Sequence, residues 1–406
     1  MIVRDGGQFL DPLLEAAGRH CDELVVVDTG SRDDSPRSAS ARGARVLHRT
    51  WDDDFAAARN ASLDACTCRW VLCLDADEQL CPGDWAAVRE VAGRWDAGQV
   101  AAARIVTRNY IREPWSHRGW TPVPAADPHA LADRDGPVAP GYVRTAKVRL
   151  FPNLAGIRFR GCLHETVEAS LARAGIPIRD VPIIVHHFGS LLEDPVKARR
   201  YLELARRKTT EEPTDAASWK ELSDAALAAG DRETALQAAE RTLVLAPGNA
   251  EARLTAGMLL KDVGALSRAD AHLLAVAACP GVDDSKLALA FHLRAQVAMI
   301  DGRGEAAGPL LLAALRLAPG DGHIHNTLGV WHLAGGRGEP ARHALERAAA
   351  LLPHLAGPCL NLGRMYEAAG QAALAARQYE LAMRREPGRT AAGEALGRLR
   401  QNVQLS

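Results

Sequence analysis

No apolar run in this 406-residue chain approaches the roughly 20 residues that a membrane-spanning helix needs. The N-terminus also lacks the basic-then-apolar order of a secretory signal. A cytoplasmic protein without an integral membrane segment is therefore expected. Charge of one sign is missing as well: 49 lysines and arginines face 50 aspartates and glutamates, a formal net charge of −1. With no global field to attract polyanions, neither nucleic acid nor an anionic membrane is an expected partner. Cysteine occurs eight times but without paired Cys-x-x-Cys spacing. Its tightest group, Cys66, Cys68, Cys73 and Cys81, falls in and beside a strand pattern. Reduced core thiols are expected there rather than a zinc cluster.

What is present divides into halves that follow different rules. At this length two or three domains are expected, each with its own core. Up to about residue 190, short β-branched runs alternate with helical patterns. "ELVVVDTGS" gives a strand ending at Asp28, "ARVLHR" a second, and "DDFAAARNASLDACTC" a helix before the strand "WVLCL". "VAAARIVTRNYI", "AKVRLF", "IRFR" and "VPIIVHH" are later strand candidates. Such alternation predicts an α/β, Rossmann-like domain with a mostly parallel sheet and helices on both faces. Ligands of such sheets bind beyond the carboxyl ends of the strands, the edge where Asp28 and Asp75 fall.

From residue 213 onward the sequence repeats. Prolines at 213, 247, 280, 319, 353 and 387 are separated by 34, 33, 39, 34 and 34 residues. Within one interval Leu362, Gly363, Tyr366, Ala375, Tyr379 and Ala382 occupy tetratricopeptide-repeat positions; Leu328, Gly329, Ala341, Leu345 and Ala348 repeat them one unit earlier. Small residues let paired helices approach, and proline ends the second helix. Five repeats are predicted, the third lengthened near "GVDDSK", with a capping helix near 389–402. The domains are then 1–190, a connecting amphipathic helix within 191–212, and an all-α solenoid over 213–406. The first helices would present Trp219, Arg253, His292, His325 and Asn361 on a concave, weakly charged groove suited to an extended peptide. A homodimer is the alternative use of that array.

The stretch "WVLCLDADEQL" drives an apolar run into Asp75, Asp77 and Glu78. Clustered carboxylates repel unless a cation or a basic partner sits among them. On an extended backbone, residues two apart face the same side, so Asp75 and Asp77 would point together.

"VVVDTGSRDDS", "WDDDFAAARNASL" and "WVLCLDADEQL" occur in that order, with "RLFPN", "LHETV" and "HHFG" following as far as residue 189. Together they resemble the GT-A glycosyltransferases of the large inverting family. The closer likeness is to the bacterial subgroup with C-terminal tetratricopeptide repeats, which includes sublancin-type S-glycosyltransferases. The resemblance implies inverting transfer of a hexose from a nucleotide-diphosphate donor, UDP-linked, to a peptide or protein acceptor, with Mg²⁺ or Mn²⁺ as cofactor. It assigns Asp77 to the metal, Asp75 to metal or ribose, and His187 to the metal or a phosphate. It sets Asp28, Gly30 and Ser31 at the nucleoside, and Arg59 and Asn60 near its base or phosphates. Glu165 becomes the base that deprotonates the acceptor, and His164 an acceptor contact. Plainer readings stand beside these. Asp28 and Ser31 can satisfy turn amides, Glu165 can complement a helix dipole, Glu78 can cap the next segment, and Trp51 and Phe55 can pack.

Two features depart from the family. Only Ile2 and Val3 remain of a first strand, with Gly6 and Gly7 where acids are expected, so either the true start lies upstream or the nucleoside wall is incomplete. Between Glu113 and Gly141, six prolines with Trp115 and Trp120 show no periodicity, the character of a functional loop or a disordered one. A transferase acting on a cell-envelope or lipopolysaccharide glycan, and an inactive tetratricopeptide scaffold, are the rival readings.

Overall fold

A computed structural model describes residues 1–96, 100–111, 121–123, 127, 129, 141–161, 165–191 and 195–404. It divides into two compact units, Met1–Pro195 and Val196–Ser406.

In the first unit β1 (Ile2–Val3), α1 (Gly7–His20), β2 (Val25–Asp28), α2 (Ser35–Ala41) and β3 (Arg45–His48) build a parallel three-stranded sheet in the order β1-β2-β3. All four residues of β2 are buried, which is why its sequence is a continuous valine run rather than an alternation. The short β1 is a true strand: Ile2 lies opposite Val27 and Val3 opposite Asp28. Helix α3 (Phe55–Ala65) starts at Asp54, whose side chain accepts the Ala57 N–H at 2.8 Å, an N-cap.

The remaining strands form a second sheet. They are β4 (Trp70–Leu72), β5 (Glu78–Gln79), β6 (Ala102–Ile111), β7 (Thr121–Pro122), β8 (Gly141–Pro152) and β9 (Ile178–His187), with α4 (Pro82–Asp96) and α5 (Glu168–Arg173) between them. The order is β4-β8-β6-β9-β5, with β7 on β8. The parallel pairing expected of the domain holds in the first sheet and between β6 and β9. The other pairs are antiparallel, a geometry that needs no helical crossover. "IRFR" is not a strand: it makes a single bridge, Arg160 to Thr166, and serves as an anchor through buried Ile157 and Phe159. These two pack with Ala56, Leu63, Val71, Phe151 and Leu171 into one core, while Leu13, Leu74, Trp85, Ile105 and Val185 share another.

The second unit opens on α6 (Pro195–Glu211), the connecting helix that the sequence sets within 191–212. Lys208 on α6 bonds Glu221 at 2.6 Å, and Arg206 bonds Asp231 at 2.9 Å. Helix pairs follow: α7 (Ala216–Ala228) with α8 (Arg232–Leu245), α9 (Ala250–Asp262) with α10 (Leu266–Leu274), and α11 (Asp284–Ile300) with α12 (Gly304–Leu317). Then come α13 (Gly322–Ala334) with α14 (Gly338–Leu351), α15 (Gly357–Ala368) with α16 (Ala372–Arg385), and the terminal α17 (Thr390–Gln404). The longer third interval is taken up by a 17-residue α11, against 13 residues for α9 and α13. Three of the first helices carry a glycine where the second helix inserts a large residue. A Cβ at Gly257, Gly329 or Gly363 would lie within 2.5 Å of Leu273, Leu345 or Tyr379 respectively.

Candidate functional site at the strand termini

At the end of β2, Asp28 folds back on its own turn. Its carboxylate accepts the Ser31 N–H at 3.1 Å and the Gly30 N–H at 3.3 Å, with His48 Nδ1 at 3.4 Å. Burial works to raise this carboxyl, but the bonds from Ser31, His48 and Gly30 hold it below its ordinary value. Gly30 has φ +101°, a conformation that glycine enters without strain. Asp28, Gly30 and Ser31 are thus one closed turn, the plainer of the two sequence readings. The facing loop completes it: the Asp5 N–H donates to Ser31 Oγ at 3.0 Å, and Asp5 Oδ1 accepts the Arg32 N–H at 2.7 Å. Gly6 and Gly7 donate to Ser35 Oγ and Asp33 Oδ2 at 2.8 and 3.1 Å. The glycines therefore stand where a backbone wall is laced to the turn, and Asp5 supplies the acid there.

Arg59 lies at the centre of the site. It is 7% exposed and pairs with both Glu165 and Asp75, while its Nη1 reaches Cys73 Sγ at 3.1 Å. Its guanidinium also lies over the Phe159 ring, 5.6 Å from the centroid. Burial disfavours the charge, yet Asp75 and then Cys73 and Glu165 raise its pKa well above the usual value. Burial would likewise raise Asp75, but Arg59, followed by Arg149, holds it far below the usual carboxylate range. Asn60 is committed elsewhere: its amide donates to the Phe159 carbonyl at 3.0 Å and accepts the Phe159 N–H at 2.9 Å. It therefore clamps a backbone segment and does not reach into the site. His164 lies outside the described residues.

The two aspartates of "DAD" do not share one extended face. β4 ends at Leu72, and residues 75–78 form a turn in which the Glu78 N–H donates to the Asp75 carbonyl at 3.1 Å. The Asp75 N–H in turn donates to Glu78 Oε2 at 2.8 Å. The turn sends Asp75 to Arg59 and Asp77 to His187, whose Nε2 is 3.3 Å from Asp77 Oδ2. Glu78 is 1% exposed and paired with Arg149, so it is an internal counter-ion rather than a cap. His187 Nδ1 is 2.9 Å from Asn109 Oδ1, and the Asn109 amide nitrogen donates to the Val143 carbonyl at 3.2 Å. That carbonyl can only accept, so the Asn109 oxygen must face His187. His187 therefore carries its proton on Nδ1 and turns Nε2 toward Asp77. Burial works to lower the imidazole, but Asp77 raises it above its ordinary value.

Gly189 makes the pair possible. A Cβ there would stand 2.1 Å from Asp77 Oδ2 and 2.8 Å from His187 Nε2. Asp75 does not join this pair as a third ligand: among the described residues, the three-ligand group within 4.8 Å is Cys81, Asp84 and His129. Across the site, Asp75, Asp77, Glu78 and Glu165 face two guanidiniums, Arg59 and Arg149, with Lys147 acting on Asp75 and His187 on Asp77. Asn109, Arg149 and Gly189 were not singled out from sequence. Each acts through a neighbour distant along the chain, so no local pattern marks it. Of the aromatics, Trp51 and Phe55 do pack, with ring centroids 4.7 Å apart. His186 is buried, its Nδ1 2.8 Å from the Tyr110 hydroxyl.

The groove expected of the repeats is also redrawn. Trp219, Arg253 and His325 each bond the carbonyl of the proline six residues earlier, at 2.9, 2.6 and 3.0 Å. They close the junction between repeats. His292 is 2% exposed and bonds Thr327 at 2.8 Å, and Asn361 bonds Asn326 at 2.9 Å, so first helices are stitched to one another. No helix among the described residues is long and apolar enough to cross a membrane.

Residues 4–153 match the family model described as glycosyl transferase family 2. A curated relative, a TPR repeat-containing protein of Synechococcus elongatus, is 36% identical over 171 residues, covering 42% of this chain. The chain spans 35% of that relative's length. Among solved structures, MamA covers 42% of this chain and 92% of its own, with 21% identity and a TM-score of 0.35. A thermophilic TPR protein of Thermus thermophilus covers 46% of this chain and 98% of its own, with 20% identity and a TM-score of 0.40. The chain thus carries an N-terminal domain of glycosyl transferase family 2, followed by a tetratricopeptide-type helical solenoid.

Proposed function

We propose that the chain is an inverting, divalent-metal-dependent glycosyltransferase that moves a hexose from a nucleotide-diphosphate donor, UDP-linked, to a peptide or protein side chain in the cytoplasm. The observation that carries this reading is the Asp77–His187 pair, 3.3 Å apart, cradled by Gly189 beside the Arg59–Asp75–Glu165 cluster. Oxygen from Asp77 and a tautomer-fixed imidazole nitrogen suit Mn²⁺ or Mg²⁺ at this position.

When bound, the cation would neutralise the charge that grows on the donor pyrophosphate as the sugar–oxygen bond breaks. Asp77 and His187 would hold it. Asp28 and its turn, walled by Asp5, form the rim that receives the nucleoside. Arg59 fixes Asp75 and one oxygen of Glu165, which leaves Glu165 Oε2 to take the acceptor proton while the nucleophile attacks the face opposite the leaving group. Arg59 is thus a positioning residue rather than a phosphate contact. The repeats would recruit the acceptor or a second copy of the chain.

The test is mass spectrometry of a peptide library incubated with mixed nucleotide sugars and Mn²⁺. Sugar-sized additions to peptides from one donor support the reading. Donor consumption without any peptide product would overturn the acceptor class, and no donor consumption would overturn the activity.

A further inference from the structure

Outside the site just described, Cys81, Asp84 and His129 bring one thiol, one carboxylate and one imidazole together, with ligand atoms all within 4.8 Å of one another. Cys81 Sγ is 3.0 Å from Asp84 Oδ2, and His129 Nδ1 is 2.9 Å from the same oxygen. We propose that these three residues bind a zinc ion that staples residue 129, between β6 and β8, to the start of α4.

Three features support the assignment. The first is charge. Asp84 is 2% exposed, and among the described residues its ion-pair partner is His129, with no arginine or lysine beside it. A buried carboxylate needs a cation. A thiolate, a carboxylate and a neutral imidazole around Zn²⁺ leave no net charge, so the ion satisfies the site without importing an anion. The second is ligand chemistry. Sulfur, nitrogen and oxygen together suit zinc, whose bonds run about 2.3 Å to sulfur and about 2.0–2.2 Å to nitrogen and oxygen. Tetrahedral angles then separate ligand atoms by about 3.3–3.6 Å, so the two pairs that meet at Asp84 Oδ2 need open by only about half an ångström. The third is orientation from outside: the Ile184 N–H donates to Asp84 Oδ1 at 3.2 Å, and the Asp84 N–H approaches Cys81 Sγ at 3.4 Å. These contacts hold two ligands from behind, as outer-shell groups do in metal sites.

Binding releases protons. Without an ion, the Cys81 thiol donates to Asp84, and burial pushes that thiol up. Zinc displaces the thiol proton to solvent, and His129 moves its ring proton to Nε2 so that Nδ1 can coordinate. A water or the second Asp84 oxygen completes four ligands. The ion would hold His129 against Cys81 and Asp84 independently of any metal at Asp77 and His187.

The experiment uses the full-length chain and Co²⁺ as the spectroscopic probe. One Co²⁺ per chain should give a sulfur-to-cobalt charge-transfer band that Zn²⁺ abolishes by displacement, and the chain as purified should hold one zinc by elemental analysis. Cys81→Ser keeps an oxygen to cap the Asp84 amide and should lose the band and the zinc while retaining its far-ultraviolet circular dichroism. Should that variant fail to fold, His129→Gln, altered at the more exposed end, carries the test and should weaken Co²⁺ binding at least tenfold. A wild-type chain that gives no sulfur band, or a band unchanged in both variants, would reduce the trio to a hydrogen-bonded cluster. Co²⁺ bound at Asp77 and His187 has no sulfur ligand and gives no such band, so failure here is distinct from failure of the metal in the proposed reaction.

Discussion

At the scale of single residues, the turn 75–78 gives neighbouring carboxylates different work. Asp77 faces His187 across the space that Gly189 leaves open. Asp77→Ala is therefore expected to abolish Mn²⁺-dependent donor hydrolysis with the fold intact. Gly189→Ala should weaken Mn²⁺ binding by pushing the pair apart, read by isothermal titration; unchanged affinity in both variants would remove the metal from this position. Glu165 tests the base. Glu165→Gln keeps a donor and an acceptor near Arg59 but removes proton transfer, so kcat should fall roughly 10²–10⁴-fold with little change in nucleotide affinity. An equal loss of nucleotide binding would instead assign Glu165 to the donor. A cysteine acceptor, partly thiolate already, should be less sensitive than a hydroxyl.

At the scale of elements, the solenoid depends on glycines that admit a large residue from the paired helix. Gly363 faces the Tyr379 ring, with a built Cβ 2.3 Å from Cε1, and Tyr379 is fully buried. Neither partner can retreat, because the Tyr379 hydroxyl is bonded to Glu367 and its ring lies in the core of the last repeat. Gly363→Ala should therefore destabilise α15 and α16 by about 1–3 kcal/mol, the usual cost of overpacking. Hydrogen exchange confined to those helices would show it; protection unchanged throughout would contradict the packing account. The same logic links Gly329 to Leu345 and Gly257 to Leu273.

At the scale of the whole molecule, the division after Pro195 assigns α6 to the repeats. A fragment ending at residue 195 contains every described residue of the proposed reaction. It should hydrolyse the donor at the full-length rate while its KM for a full-length protein acceptor rises. An unchanged acceptor KM in a soluble fragment would assign the repeats to assembly, and loss of a dimer on sizing would then accompany the cut. Of the residues that the repeat pattern sets on the first helices, Trp219, Arg253 and His325 remain partly exposed. Trp219, Arg253 and His325 are occupied at proline carbonyls, and His292 is buried.

Periodic signals were legible from sequence because they are local. The proline spacing near 34 residues and the small residues at tetratricopeptide positions repeat a physical constraint at a nearly fixed interval, and the helix pairs follow them. Asp28 and Asp75 could be singled out at strand ends, and Arg59, Asp77, Glu165 and His187 through the family resemblance. Their partners could not. Whether Arg59 faces a phosphate or two carboxylates depends on Glu165, 106 residues away. Whether Asp75 and Asp77 diverge depends on where β4 stops pairing with β8. The tautomer of His187 depends on Asn109 and, through it, on the Val143 carbonyl. The sequence by itself determined which elements form and which residues carry charge to the strand termini; only the tertiary structure decided which charges meet, because ion pairing and ligand convergence are set by distances that chain order does not encode.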